Sequence, residues 1–207
     1  AVIAGWDSTS NDYASMCYGI PAMGTFAHAW VMLHDTEEES FENWAKVFPG
    51  ATVFLADTYN TIEGIQKAIS ICKKYRLDLK GIRLDSGDLA YLSREAHRLL
   101  NKAGYGRARI LATDCISVQS AASLFGRVAT SVAEPESYVN SFGIGSEIAV
   151  NRNNPLLDFV LKLSARHGDR SLNRNDMVRE LIKLTESEQK ATLPGVIDIV
   201  RYIDREG

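Results

Sequence analysis

Short apolar runs alternate along this chain with stretches in which apolar residues recur every three or four positions. Thr52-Val-Phe-Leu-Ala56, the run from Leu79 to Leu84 and Arg109-Ile-Leu-Ala-Thr113 have the length of buried strands. A helical pattern follows each: Ile62, Ile65, Ile69 and Cys72; then Leu89, Leu92, Ala96, Leu99 and Ala103; then Val118 to Phe125. Upstream, Gly19 to Thr25 reads as strand or turn and leads into a buried helix over Ala27 to Leu33. Thr36 with Glu39 forms a capping-box pattern. Phe41, Trp44, Ala45 and Phe48 then share a helical face, and Pro49-Gly50 stops that helix. Ser141 to Val150 closes the series.

Strand and helix thus alternate about four times, the pattern of a parallel sheet covered by helices. The strands are nearly continuous apolar runs, as expected where both faces are covered. Asp57, Asp85, Asp114 and Ser146 stand where strands end, and parallel α/β folds bind ligands at those carboxyl ends. After Val150 the rhythm changes. Asn151 to Pro155 is a polar loop, Phe159 to Leu163 and Glu180 to Thr185 read as strands, and a polar stretch from Ala165 to Asp176 separates them. This predicts a hairpin-like, β-rich excursion. Leu193-Pro194-Gly195 reads as a turn.

Several segments have the residue types of a phosphate or carboxylate site. In Gly81-Ile-Arg-Leu-Asp-Ser-Gly-Asp88, a strand delivers Arg83 and Asp85 and a helix opens behind Ser86 and Gly87. Arg83 can clamp a carboxylate or phosphate. Asp85 can hold ribose hydroxyls or hydrated Mg²⁺, and amides at a helix start suit phosphate. The plain alternative is Ser86 or Asp88 as an N-cap, with Arg83 and Asp85 as an ion pair. Phe142-Gly-Ile-Gly-Ser146 is either a phosphate-binding loop or a simple bend. It lacks the dinucleotide fingerprint, so a Rossmann reading fails. His28, alone on an apolar stretch, has the ordinary reading of a core histidine with one satisfied hydrogen bond. His34, His97 and His167 read as surface residues; Trp6, Trp30 and Trp44 read as core. Glu37-Glu38-Glu39 reads as a charged first helical turn, favourable with the helix dipole.

Composition narrows the classes. The 207 residues include 23 basic and 26 acidic ones, a net charge of -3, with 45% apolar and 24% charged residues. That is the balance of a globular protein, and without a basic excess it predicts no nucleic-acid partner. No run of 18 apolar residues occurs, so no membrane span is expected. Cys17, Cys72 and Cys115 are few, odd in number and widely spaced, which predicts a reducing cytoplasm and no disulfide framework. The opening Ala-Val-Ile-Ala-Gly-Trp-Asp has no basic region followed by an apolar run, so no secretory signal is expected. It lacks a starting Met, which leads to the expectation of an internal fragment. Ala1 to Ala4 looks like part of a strand that needs a neighbour.

Six segments together resemble nicotinate phosphoribosyltransferases. They are Gly5-Trp-Asp-Ser-Thr-Ser-Asn11, Gly19-Ile-Pro-x-x-Gly-Thr-x-Ala-His-x-Trp30, Asp57-Thr-Tyr59, Gly81 to Leu89, Phe142-Gly-Ile-Gly-Ser146, and Lys183-Leu-Thr-x-x-x-x-Lys-x-Thr-Leu-Pro-Gly195. They follow the family's order and span nearly the whole chain. The resemblance implies the type II phosphoribosyltransferase fold, an irregular α/β barrel beside an α/β sandwich, here as an incomplete barrel. Residues 1–150 would be the barrel portion. Residues 151–207 would belong to the same domain or to its junction with the sandwich.

The implied reaction joins nicotinate and phosphoribosyl pyrophosphate to give nicotinate mononucleotide and pyrophosphate, in NAD biosynthesis. ATP hydrolysis is coupled to it through a phosphohistidine that falls on His28. Thr25 and Arg83 would contact nicotinate; Asp57 and Asp85 would serve catalysis and Mg²⁺. Ser86, Gly87, Thr113, Gly143, Gly145 and Ser146 would hold the phosphoribosyl phosphate. A cytoplasmic homodimer is implied. Three departures stand out: Ser146 where the family has Thr, Thr113-Asp-Cys115 where it has Ser-Asn-Asp or Ser-Asp-Asn, and missing N- and C-terminal portions. The 207-residue piece alone is therefore expected to be inactive. The competing readings are a nicotinamide or quinolinate phosphoribosyltransferase, a non-catalytic nucleotide-binding paralogue, and a sugar-phosphate barrel enzyme. The last should carry a Schiff-base lysine at a strand end, where this chain has acids and Arg83.

Overall fold

The structure is a computed structural model and describes residues 2–113, 116–126, 135–145, 147, 162–167 and 178–180. Three helices precede the sheet: α1 (Asp12–Tyr18), α2 (His28–Met32) and α3 (Glu37–Val47). Strands and helices then alternate: β1 (Val53–Leu55), α4 (Thr61–Tyr75), β2 (Gly81–Leu84), α5 (Leu89–Ala103), β3 (Arg109–Ala112), α6 (Val118–Gly126) and β4 (Ser141–Phe142). All three pairings in this sheet are parallel, in the order β1-β2-β3-β4. The α/β class and the strand–helix alternation follow the sequence reading.

Local chemistry sets the helix ends. Thr36 accepts the Glu39 amide at 3.1 Å. The Glu39 carboxylate returns to the Asp35 amide at 3.0 Å, one residue earlier than a standard capping box places it. Asn60 caps α4 through the Glu63 amide, and Asp88 caps α5 through the Tyr91 amide. α5 ends at Gly104, whose φ of 88° is a left-handed conformation that glycine adopts without strain.

The core lies between the sheet and the helices. Phe54, Leu55, Ile82, Leu84 and Ile110 of the strands are buried with Ile65, Ala68 and Cys72 of α4. Phe26, Phe41, Trp44 and Phe54 form an aromatic cluster, with Phe41 and Phe54 centroids 5.0 Å apart. Trp30 packs against this core, whereas Trp6 is only half-buried. On α5 the most buried residues are Ala90, Ser93, Ala96 and Leu100; the larger Leu89, Leu92 and Leu99 flank them.

Four expectations need correction. Val2–Ala4 is a 3-10 turn closed by the Gly5 amide on the Val2 carbonyl, with Val2 and Ile3 exposed; it is not a strand. The hairpin exists, but its strands are β5 (Ala165–His167) and β6 (Val178–Glu180), paired antiparallel. They sit inside and beside the polar stretch rather than on the apolar runs, because backbone pairing in a hairpin does not require a continuous apolar run. Residues 159–161, 181–185 and 193–195 lie outside the described residues; Lys162 and Leu163 are not strand. Glu37 is not a solvated first-turn charge but is buried, with Lys67 Nζ 3.2 Å from its Oε2. His34 and His97 are half-buried: His34 Nδ1 donates to the Trp30 carbonyl at 2.8 Å, and His97 stacks on Tyr138. Helix α1 carries no apolar periodicity, since none of its residues is buried; Asn11 and Gly19 alone mark its ends.

Candidate active site

The parallel register delivers side chains to one edge of the sheet. Backbone bonds continue past the strands, from Ala56 N to Arg83 O (3.2 Å), Thr113 N to Leu84 O (3.0 Å) and Gly143 N to Ala112 O (2.9 Å). Asp57, Asp85, Thr113 and Gly143 therefore follow one another across the carboxyl ends of β1 to β4. His28, the first residue of α2, reaches the same place.

The polar groups there form one network. Asp57 is 3% exposed; its Oδ2 accepts the Asp85 amide at 3.0 Å and the Ser86 hydroxyl at 2.5 Å. Its Oδ1 is buried with no hydrogen-bond partner among the described residues. His28 Nε2 faces Asp85 Oδ2 at 3.4 Å and Asp57 Oδ1 at 3.9 Å, and Nδ1 lies 3.0 Å from Thr58 Oγ1. Arg83 donates from Nε to Thr113 (2.8 Å), from Nη1 to Thr25 (2.8 Å) and the Phe26 carbonyl (3.5 Å), and from Nη2 to Asp85 Oδ1 (3.0 Å). The Thr113 hydroxyl donates in turn to Asp85 Oδ1. Burial pushes the Asp85 carboxyl up, but the hydrogen bond from His28, the Arg83 charge and the Thr113 hydroxyl together outweigh it. They hold Asp85 well below the usual carboxylate range.

The arrangement presents two carboxylates, an imidazole and a guanidinium in a half-buried patch that faces solvent through His28, Arg83 and Asp85, whose side chains are 15%, 21% and 19% exposed. Both plain alternatives for the Gly81–Asp88 segment hold here: Asp88 is the α5 cap, and Arg83 pairs with Asp85. His28, Asp57, Arg83, Asp85, Ser86, Thr25 and Thr113 are brought together. Gly87 and Gly145 are exposed loop residues away from these hydrogen bonds. Gly143 packs on Thr113 so closely that a Cβ there would stand 2.7 Å from the Thr113 methyl. Ser146 and Asp114 lie outside the described residues.

Two residues of the site region were given no role in the sequence reading, Thr58 although it lies within the Asp57-Thr-Tyr59 segment. Thr58 is wholly buried against His28. Gly64 lets α4 approach β1; a Cβ would fall 2.1 Å from the Ala56 carbonyl oxygen. The available signals were a hydroxyl next to Asp57 and a glycine inside a helical pattern, which often marks close packing.

The profile of the Nicotinate phosphoribosyltransferase (NAPRTase) family matches residues 5–187. The chain belongs to the nicotinate phosphoribosyltransferase family. It is 32% identical over 208 residues to the nicotinate phosphoribosyltransferase of Bacillus subtilis, covering 99% of this chain and 39% of the relative. It is 36% identical over 168 residues to nicotinate phosphoribosyltransferase pncB2 of Mycobacterium tuberculosis, covering 80% and 34%. Among solved structures, the nicotinate phosphoribosyltransferase of Porphyromonas gingivalis superposes with a TM-score of 0.70 at 22% identity, covering 90% of this chain and 48% of that one. The nicotinate-nucleotide pyrophosphorylase of Pyrococcus furiosus superposes with a TM-score of 0.57 at 21% identity, covering 71% and 36%. At those identities the likeness is one of fold. The chain spans between a third and a half of the length of these proteins. The matched span contains five of the six segments that carry the resemblance and the start of the sixth.

Among the described residues, no helix is long and apolar enough to cross a membrane, and no group of three His, Cys, Asp or Glu side chains could hold a metal ion. The donor chemistry of Asp57 and Asp85 nevertheless suits a hard divalent cation, and the orphaned Asp57 Oδ1 is the atom in need of a positive partner.

Proposed function

We propose that the full-length protein is a nicotinate phosphoribosyltransferase that forms nicotinate mononucleotide and pyrophosphate from nicotinate and phosphoribosyl pyrophosphate. The observation that carries this reading is the meeting of His28, Asp57, Arg83 and Asp85 at the carboxyl ends of parallel strands in a chain of this family. The unbroken strand order β1-β2-β3-β4 supports a segment of barrel wall, since a doubly wound sheet would reverse its order.

The chemistry asks for positioning. Leaving pyrophosphate gives the ribose an oxocarbenium-like transition state, so no protein nucleophile is needed at the sugar. A carboxylate held ionised beside the ribose offsets its developing positive charge; the network on Asp85 keeps that group charged. Arg83 supplies the positive charge for the nicotinate carboxylate. Most of its N–H groups are already committed to Thr25, Phe26, Thr113 and Asp85, so it acts as a rigid charge with one arm to offer rather than a free fork. Thr25 flanks it as the second nicotinate contact. Mg²⁺, held by Asp57 and Asp85, would supply charge neutralisation for pyrophosphate.

His28 is the proposed acceptor of a phosphoryl group from ATP; it is the imidazole of the site, and its Nε2 edge is turned to the carboxylates. Ser86, Gly87, Gly143, Gly145 and Ser146 are proposed for the phosphoribosyl phosphate. Thr113 is drawn by the structure more to Arg83 and Asp85. A cytoplasmic homodimer completes the reading. Incubating the full-length protein with phosphoribosyl pyrophosphate, ATP and either nicotinate, nicotinamide or quinolinate, with products identified by mass spectrometry, tests it. Nicotinate should be converted in preference to the other two; preference for either of them would replace the substrate assignment.

A further inference from the structure

A closed ring of hydrogen bonds joins the ends of β2 and β3. Arg83 Nε donates to Thr113 Oγ1 at 2.8 Å, the Thr113 hydroxyl donates to Asp85 Oδ1, and Arg83 Nη2 donates to the same Oδ1 at 3.0 Å. Nε and Nη2 form the side edge of a guanidinium, an edge able to grip both oxygens of a carboxylate. Here a hydroxyl and one carboxylate oxygen fill it. Nη1 is turned to Thr25 and the Phe26 carbonyl, so one Nη2 N–H is left without a partner among the described residues. The Thr113 rotamer is itself fixed from the other side. A Cβ on Gly143 would stand 2.7 Å from the Thr113 methyl carbon and 3.6 Å from the Thr113 Cβ. Methyl and hydroxyl share that Cβ, so turning the methyl aside carries the hydroxyl to another staggered well, about 120° away, and out of the ring.

We infer that Thr113, seated against the bare Cα of Gly143, is a positioning residue whose hydroxyl locks the Arg83 guanidinium in one plane and leaves a single Nη2 N–H for a carboxylate ligand. Thr113 is suited to the task, since a β-branched side chain has few χ1 choices. An arginine free to turn must be ordered by each ligand it binds; setting its plane in advance removes that cost. The role differs from a phosphate contact. A phosphate oxygen accepts and would need the hydroxyl proton, which Thr113 already gives to Asp85. The link to nicotinate rests on the phosphoribosyltransferase reading of the site; the ring does not.

The test is solvent exchange of the Arg83 Nε–H, followed by ¹⁵N NMR in arginine-labelled full-length protein without substrate and assigned by its absence from Arg83→Lys. KM values for nicotinate and phosphoribosyl pyrophosphate are measured on the same samples. Thr113→Val keeps the shape and removes the hydroxyl; Thr113→Ser keeps the hydroxyl and removes the methyl; Gly143→Ala pushes the methyl aside. Exchange should be slow in the wild type and Thr113→Ser, and at least about tenfold faster in Thr113→Val and Gly143→Ala. Adding Thr113→Ser to Gly143→Ala should restore slow exchange, because the clashing methyl is gone. In Thr113→Val, KM for nicotinate should rise about ten- to a hundredfold, as for loss of a hydrogen bond to a charged group, while KM for phosphoribosyl pyrophosphate holds. Wild-type exchange in Thr113→Val or Gly143→Ala, or a double variant as fast as Gly143→Ala, would overturn the inference. So would a Thr113→Val variant in which KM rises for phosphoribosyl pyrophosphate and not for nicotinate, which would assign Thr113 to phosphate binding. A wild type with slow exchange and the double-variant rescue but no conversion of nicotinate would bear out the ring and defeat the phosphoribosyltransferase reading.

Discussion

Gly64→Ala perturbs the site from outside it. The added methyl would stand 2.1 Å from the carbonyl oxygen of Ala56 and 2.9 Å from its carbonyl carbon. Ordinary contact requires α4 or the end of β1 to retreat by about 1 Å. The clashing atoms are backbone, so no side-chain rotation relieves them. Overpacking of this kind costs about 1–3 kcal/mol. The Gly-to-Ala exchange in a helix interior returns about 1 kcal/mol, leaving a net loss of about 0–2 kcal/mol. The larger effect should be on turnover. Ala56 precedes Asp57, whose Oδ2 is held by the Ser86 hydroxyl at 2.5 Å and the Asp85 amide at 3.0 Å. A shift of about 1 Å there can cost on the order of a hundredfold in rate. Urea denaturation and steady-state kinetics of Gly64→Ala should be compared with Gly50→Ala, where a Cβ meets nothing within 4 Å. The Gly50 variant should stay within about 0.5 kcal/mol of wild type. A Gly64→Ala protein that is stabilised and fully active would refute the claim that this glycine sets the distance between α4 and Asp57.

Arg83→Lys should raise KM for nicotinate by the equivalent of about 2–5 kcal/mol while affecting nicotinamide less; parallel losses would remove Arg83 from carboxylate recognition. His28→Ala should abolish acid-labile phosphate incorporation from labelled ATP, and equal labelling of variant and wild type would assign the phosphate elsewhere. Burial raises the Glu37 carboxyl from 4.5 to about 7, against the pull of Lys67. The folded state thus binds this proton more tightly than the unfolded chain, and stability should fall as pH rises from about 4.5 to about 7, by up to about 3 kcal/mol from this group. Glu37→Gln should flatten that part of the pH profile in urea unfolding; parallel profiles would show that Glu37 titrates normally. Residues 1–207 expressed alone should form no nicotinate mononucleotide, and full turnover by that piece would show that the remaining length of the relatives is dispensable.

The alternation of strand and helix was legible because both elements announce themselves by apolar period. Phe54, Leu55, Ile82, Leu84 and Ile110 of the strands and the inward faces of α3, α4 and α5 are buried as that pattern requires, whereas Phe48, read onto the α3 face, follows the helix and is exposed, and Arg109 is exposed at the start of its strand. Asp57 and Asp85 could be placed at one site because parallel strands end together. What the pattern could not carry was distance. The Thr113 hydroxyl lies between Arg83 and Asp85, a pairing created by the β2–β3 register that no spacing in the sequence announces. Thr58 and Gly64 matter through single close approaches that have no period. α1 buries nothing and so left only its caps to read. The hairpin was foreseen in kind, but its pairing register was not, because apolar period says little about a strand that need not be buried on both faces.

Product formation by the full-length protein tests the central claim most directly. Wild-type protein supplied with nicotinate, phosphoribosyl pyrophosphate, ATP and Mg²⁺ should yield nicotinate mononucleotide and pyrophosphate in equal amounts by mass spectrometry and pyrophosphate assay. Asp85→Asn, which removes the charge that Arg83, Thr113 and His28 converge upon, should lose most of that rate while still folding. A wild type that forms no nicotinate mononucleotide, or an Asp85→Asn variant as fast as wild type, would contradict the assignment of this strand-end cluster as a phosphoribosyltransferase active site.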